Sequence, residues 1–213
     1  ASTSPSISAD GSYVAFASYA TNLFDGQDDT NHSADIFLYD ASANRVQLVS
    51  HTAGTAQTSA NAYSAAPVLS ADGRFLAYRS MATDLVAGVA DANQSSDVFR
   101  FDRLAGESQL VSSTAASATT AGDSRSLLPS ISGDGRSVVF ESDATNLIAG
   151  DFNRAMDVFL FRDGGLANQA PSLNTGVATV FDPIVQDAVS NPGTAVDDLV
   201  GTAGLYSDPD GGR

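Results

Sequence analysis

An all-β fold made of three tandem copies of one four-stranded unit is predicted by three observations. The segments "PSISADGSYVAFAS", "PVLSADGRFLAYRS" and "PSISGDGRSVVFES" are near-copies of one another. They recur at a fixed step, with Pro5, Pro67 and Pro129 each 62 residues apart and the pairs Asp10-Gly11, Asp72-Gly73 and Asp134-Gly135 keeping the same interval. Between turn signals, short runs rich in Val, Leu, Phe and Tyr match from copy to copy at alternate positions. Self-similarity at a fixed period marks a repeated supersecondary unit that cannot bury its apolar face alone.

Each element of the unit follows from local chemistry. A first strand around Ser6 to Ser8 meets a second, Tyr13 to Ser18, through the "ADG" turn, where glycine tolerates a positive φ and Asp10 bonds nearby backbone N–H groups. A third strand, "DIFLYD" from Asp35 to Asp40, is joined by "ASANR" to a fourth, "VQLVS", ending at Ser50. Val14, Leu76 and Val138 correspond along the second strand, as do Phe16, Tyr78 and Phe140, whereas Ala17, Arg79 and Glu141 vary. Phe37, Phe99 and Phe159 match along the third, whereas Leu38, Arg100 and Leu160 do not. This pattern suits sheets covered on both faces by their neighbours. Four-stranded antiparallel units in tandem are the blades of a β-propeller. The third copy carries a two-residue deletion between Asn146 and Asp157.

Composition bounds the function. The 213 residues carry a net charge of -15, with 25 acids, nearly all Asp, against 10 basic residues, all Arg. That field repels phosphate backbones and anionic lipid, so neither a nucleic acid partner nor membrane insertion is expected. The chain has no Cys, which excludes disulfides, zinc thiolates and a thiol nucleophile. No apolar run is long enough to span a bilayer, and an export leader is expected to precede Ala1.

The repeats "SISADG", "VLSADG" and "SISGDG", with "DIFLYD", "DVFRFD" and "DVFLFR" after them, resemble the S-x-D-G motif and third strand of TolB-like, WD-related propeller repeats. The resemblance covers about Ser4 to Asp163 and implies three blades, at about 1–65, 66–127 and 128–163. No fourth strand like "VQLVS" follows Phe161, and 164–171 reads as a linker punctuated by Gly164, Gly165 and Pro171. From Asn168, "NQAPSL", "DDLV" and Asp208-Pro209-Asp210-Gly211 look similar to the opening of cadherin-like or immunoglobulin-like repeats of bacterial surface proteins. The 42 residues from Ser172 to Arg213 are fewer than the roughly 100 of a complete sandwich. The chain is therefore expected to be a piece of a longer protein, with 172–213 the start of such a domain.

One pattern carries candidate chemistry. Asp29-x-Asn31 precedes Asp35, Asp91-x-Asn93 precedes Asp97, and Asp151-x-Asn153 precedes Asp157, so D-x-N-x-x-x-D occurs once per blade. Alternate oxygen ligands in a loop are how calcium sites begin, and Asp208 and Asp210 offer a further acidic pair. The EF-hand form fails, because its sixth position is Ala34, Ser96 or Met156 instead of Gly. The preferred reading is that these Asp and Asn side chains form turns with the backbone, with calcium as the alternative.

Other candidates are weaker. Ser8-x-Asp10-Gly11 lacks the aromatic residue of an Asp box, and "GDSRS" at Gly122 to Ser126 fails the G-x-S-x-G elbow at its last position. His32 and His51 are read as surface histidines, and Arg79 and Arg100 as solvated rim residues. The resemblance implies a non-enzymatic scaffold that is secreted, periplasmic or on the cell surface and presents acidic loops to a protein or carbohydrate ligand. The alternative is the substrate-gating propeller of a larger peptidase or glycosidase. Three blades do not close a ring, and aromatic positions such as Phe37, Phe99 and Phe159 are expected to rely on adjacent blades, so the isolated fragment is expected to self-associate or to be only marginally stable.

Overall fold

The computed structural model describes residues 1–151 and 154–163. Among them there are thirteen strands and no helix. The first sheet runs in order β1 (Ser2–Ile7), β2 (Tyr13–Ser18), β3 (Asp35–Asp40) and β4 (Arg45–Leu48), all antiparallel. The second repeats it with β5 (Ser64–Leu69), β6 (Phe75–Ser80), β7 (Asp97–Asp102) and β8 (Glu107–Leu110). After a small hairpin of β9 (Ser113–Thr114) and β10 (Ser117–Ala121), the third sheet contains β11 (Ser126–Ile131), β12 (Ser137–Ser142) and β13 (Asp157–Arg162). The absence of a fourth strand after Phe161, the linker and the sandwich segment are expectations that lie outside the described residues.

The second and third strands begin and end as their apolar runs predict. The first strand starts earlier than Ser6, because Ser2 and Thr3 pair with β2, Ser2 also through its hydroxyl, in contacts that leave no apolar signature. A bulge interrupts the pairing of each first strand, where Ser4, Ala66 and Leu128 adopt φ of 51, 54 and 49° ahead of Pro5, Pro67 and Pro129. The blade boundaries also move: β5 opens at Ser64 and β11 at Ser126, so divisions after 65 and 127 would cut a strand. The physical reason is a buried hydroxyl pair that ties each strand start to its neighbour, Ser64 to Ser80 at 2.9 Å and Ser126 to Ser142 at 3.0 Å.

Two apolar clusters hold the array, one between each pair of blades. Ala15, Ala17, Ile36 and Leu38 of the first blade pack on Leu76, Tyr78, Phe99 and Phe101 of the second. On the opposite face of the second blade, Ala77 and Val98 pack on Val138, Phe140, Phe159 and Phe161 of the third. Within each blade the matched aromatic positions are cross-strand partners and stack, with ring centroids 5.8, 5.9 and 5.7 Å apart for Phe16–Phe37, Tyr78–Phe99 and Phe140–Phe159. Truncating one such buried ring costs roughly 3–5 kcal/mol, against at most about 1 kcal/mol for an exposed ion pair, so these rings dominate stability. Phe37 is fully buried, since it stacks on Phe16 and faces Leu48 across the sheet. Its ring is therefore covered within its own blade.

Polar repeats join the blades as regularly. Ala9 N donates to Ala71 O and Ala71 N donates to Gly133 O, linking the three Asp-Gly turns in series. The "ATDL" and "ATNL" segments grip the connection arriving from the blade before. Ala53 N donates to Asp84 O and Ala115 N to Asn146 O, while Asn61 N and Asp123 N donate to the side chains of Asp84 and Asn146. First strands of successive blades meet, β1 against β5 and β5 against β11.

Candidate binding face

The D-x-N-x-x-x-D loops lie at the end of the blades opposite the Asp-Gly turns, where second strands finish and third strands begin. Asp29 Oδ1 accepts from His32 N at 2.8 Å, and Asn31 Oδ1 accepts from Ser33 N at 2.5 Å. Asn31 Nδ2 donates to Ala60 O at 2.6 Å and to Asp35 Oδ1 at 3.2 Å. The second blade repeats this: Asp91 Oδ1 accepts from Asn93 N, Asn93 Oδ1 from Ser95 N, and Asn93 Nδ2 donates to Gly122 O. The Asp and Asn side chains of both loops therefore form side-chain-to-backbone turns, with Asn31 and Asn93 also tying each loop to the connection leaving its blade. Asp157 is buried at the start of β13, beside its cross-strand partner Ser142. Asn153, Asp208 and Asp210 lie outside the described residues, and Asp151 is half-buried.

The last carboxylate of each motif has a different role from the first. Asp35 and Asp97 are 1% and 2% exposed and accept from Ser50 Oγ at 3.0 Å and Ser112 Oγ at 2.7 Å. Those hydroxyls in turn accept from Ile36 N and Val98 N, so each Asp–Ser pair pins the fourth strand's exit to the third strand's start. Burial, opposed by the serine bond, pushes both carboxyls up to about 7. The Asp-Gly turns have the opposite chemistry: bonds from Ser12 N and the Ser8 hydroxyl hold exposed Asp10 down at about 2. Among the described residues no group of three or more Asp, Glu or His is gathered to hold a metal. In the first two loops one side-chain oxygen each of Asp29, Asn31, Asp91 and Asn93 is engaged by a backbone N–H group.

Two sequence readings need correction. Arg100 is 6% exposed and does not lie on the rim. Its guanidinium lies over the rings of Phe75 and Phe161, at 4.7 and 5.4 Å, and donates to Gly135 O and Gln109 Oε1, with Asp163 at 3.2 Å. Sequence comparison shows only that Arg replaces leucine here; the socket comes from another strand and the next blade. Replacing Arg100 by Met should lower the unfolding free energy measured in urea by roughly 2 kcal/mol, with Arg100→Lys intermediate, because Gly135 O and Gln109 lose their donors. His51 is likewise buried, edge-on to Phe101 at 6.0 Å with Nδ1 against Thr52 O, because the connection folds back beneath the second blade.

On the fixed loop frame, the side chains at three places change from blade to blade. His32, Gln94 and Arg154 occupy the same left-handed position, with φ of 54, 54 and 55°. Tyr19, Met81 and Asp143 follow the second strands, and Ser4, Ala66 and Leu128 sit at the bulges. Tyr19 and Met81 are exposed by 53% and 43%, and Leu128 by 63%. Sequence reading missed these positions, although variation inside an otherwise constant repeat was the signal available. A groove of about 500 Å³ lies among Arg79, Met81, Gln94, Arg125, Leu127 and Leu128. A larger open one, about 800 Å³, lies on the first blade near Phe24, Tyr39 and Gln57.

The sheet order, the 62-residue period and the repeated blade-to-blade bonds define a partial β-propeller. No family model matches the chain, and no curated protein does. Among solved structures it is similar to TolB from Acinetobacter baumannii, at 16% identity and a TM-score of 0.45, over 82% of this chain and 33% of that one. It is also similar to a putative TolB from Agrobacterium tumefaciens, at 16% identity and 0.43, over 76% and 46%. The tricorn protease matches at 12% and 0.44, over 76% and 13%. The chain spans less than half the length of each.

Proposed function

We propose that this chain is a non-enzymatic binding scaffold, working outside the cytoplasm, that recognises a protein or carbohydrate ligand through the end of its blades carrying the D-x-N loops. The observation that carries this reading is the contrast between constant loop-building residues and changing displayed side chains. Asp29 and Asn31, with Asp91 and Asn93, hold backbone and Asp35 and Asp97 hold Ser50 and Ser112, whereas His32, Gln94 and Arg154 vary at one strained, outward position. Rigid frames with variable loops are the usual build of recognition surfaces.

The test is binding of the purified chain to printed peptide and glycan arrays. Signals should fall in Tyr19→Ala and Gln94→Ala and persist in Leu104→Ala, which alters an exposed leucine at the opposite end. Signals lost only in Leu104→Ala, or no signal at all, would overturn the proposal. Calcium is tested by melting. With Oδ1 of Asp29, Asn31, Asp91 and Asn93 turned to backbone N–H groups, millimolar calcium should leave the melting temperature unchanged; a rise that Asp29→Ala and Asp91→Ala abolish would assign the loops to the ion, since ligand at 100 times its Kd adds about 2.7 kcal/mol.

A further inference from the structure

The groove between the second and third blades has a chemistry unlike the rest of the molecule. In a chain of net charge -15 it is lined by two arginines. Arg125 is held by Asp143, its Nε 2.5 Å from Oδ2. Arg79 has no carboxylate partner among the described residues: Nη1 donates to Ser96 Oγ at 3.3 Å and the guanidinium lies 5.6 Å from the Tyr63 ring centroid. A guanidinium braced on a ring, with donors left over, is preorganised to take a carboxylate through two parallel N–H···O bonds. The protein's remaining negative charge is screened over about 8 Å at physiological ionic strength, so the adjacent cations decide the local preference.

The apolar part of the lining supplies a second, independent observation. Leu128 is 63% exposed and holds φ of 49°, where the first two blades place Ser4 and Ala66. A bulky side chain in the left-handed region, exposed to water, is unfavourable twice over, and such outliers concentrate at functional sites. Met81, 43% exposed, and Leu127 line the groove with it. A cavity of about 500 Å³ lies in the usual range for small-ligand sites.

We propose that this groove binds the free C-terminal carboxylate of a peptide whose last side chains are apolar, with Arg79 holding the carboxylate and Met81, Leu127 and Leu128 covering the side chains. No aromatic ring lines the groove to stack on a sugar, which favours a peptide over an acidic glycan. The assignment rests on the scaffold reading above but names a single subsite of it.

The experiment is a chemical-shift titration of the chain with acetyl-Ala-Leu-Leu, with the same peptide as its C-terminal amide, and with glucuronic acid. The acid should bind at least about tenfold tighter than the amide. Arg79→Met should bring the acid down to the amide's level, and Leu128→Ala should weaken both peptides. Equal binding of acid and amide, glucuronic acid binding as tightly as the peptide, or no saturation at millimolar concentration would overturn the proposal. The comparison of acid with amide uses the unaltered chain and does not depend on any variant folding. Failure here with array signals still lost in Tyr19→Ala and Gln94→Ala would remove this subsite and leave the scaffold reading intact.

Discussion

Stability should fall as pH rises from about 4 to 7, and Asp35→Asn should remove close to half of that fall. The sign follows from linkage. Asp35 and Asp97 hold their protons up to about 7 when folded, against an ordinary 3.8, so folding takes up protons in this window. The stabilisation is complete below about 4, is lost progressively as pH climbs toward 7, and is gone above it. Holding one buried carboxyl this far up corresponds to at most roughly 4 kcal/mol. The amide of Asp35→Asn still accepts from Ser50 Oγ but carries no charge to desolvate, so at pH 8 the variant should be more stable than the parent chain, with the difference vanishing near pH 4. Asp97→Asn should gain less, because Asp97 Oδ2 is buried with no hydrogen-bond partner and an amide N–H placed there would find no acceptor. Urea denaturation at several pH values measures this. Comparing variant with parent cancels the other acids, including Asp10, whose lowered pKa acts in the opposite direction and only as pH falls toward about 2. Identical pH profiles for parent and Asp35→Asn would show that this carboxyl is not desolvated.

Gly135→Ala should destabilise the chain by roughly 3 kcal/mol and loosen the third blade from the second. Gly135 has φ of 70°, and a Cβ there would lie 2.2 Å from Phe75 Cδ2, with the ring's Cβ and Cγ also closer than 3 Å. Phe75 is flanked by the guanidiniums of Arg74 and buried Arg100, both 4.7 Å from its centroid, so its retreat would disturb the Arg100 socket. Strain of the left-handed backbone adds to overpacking, which alone costs about 1–3 kcal/mol. Gly88→Ala is the matched control: its φ is 75° but nothing lies within 4 Å of the added carbon, so it isolates the backbone cost of about 1 kcal/mol. Equal losses in the two variants would mean that the ring accommodates the methyl group and that the turn does not lock the blades. Gly73 against Tyr13 is the same joint one blade earlier, with Arg103 4.2 Å from the Tyr13 ring centroid. The position after Tyr13 and Phe75 in this series is Ser137, so the third blade carries no ring for a further turn of this kind.

By itself the sequence determined the unit, its period and its local turns. Those depend on neighbours along the chain: Asp10 bonding Ser12 N and Gly11 taking a positive φ need nothing outside their own turn, and the alternating Phe and Val positions define the strand register. What only the tertiary structure decided is where one blade touches the next. Arg100 reads as a rim residue until Phe75, Phe161 and Gly135 O are brought around it from elsewhere in the chain, and His51 reads as exposed until the second blade covers it. Likewise the D-x-N motif in the sequence favours a turn but leaves a cation loop as the alternative, because a carboxylate's role depends on burial. Asp29 stays half-buried and caps a turn, while Asp35, six residues on, is enclosed behind Ser50 and keeps its proton to about 7. Contacts between units form across long stretches of chain, so their geometry leaves no local pattern, and the groove beside Arg79 exists only once two blades have met.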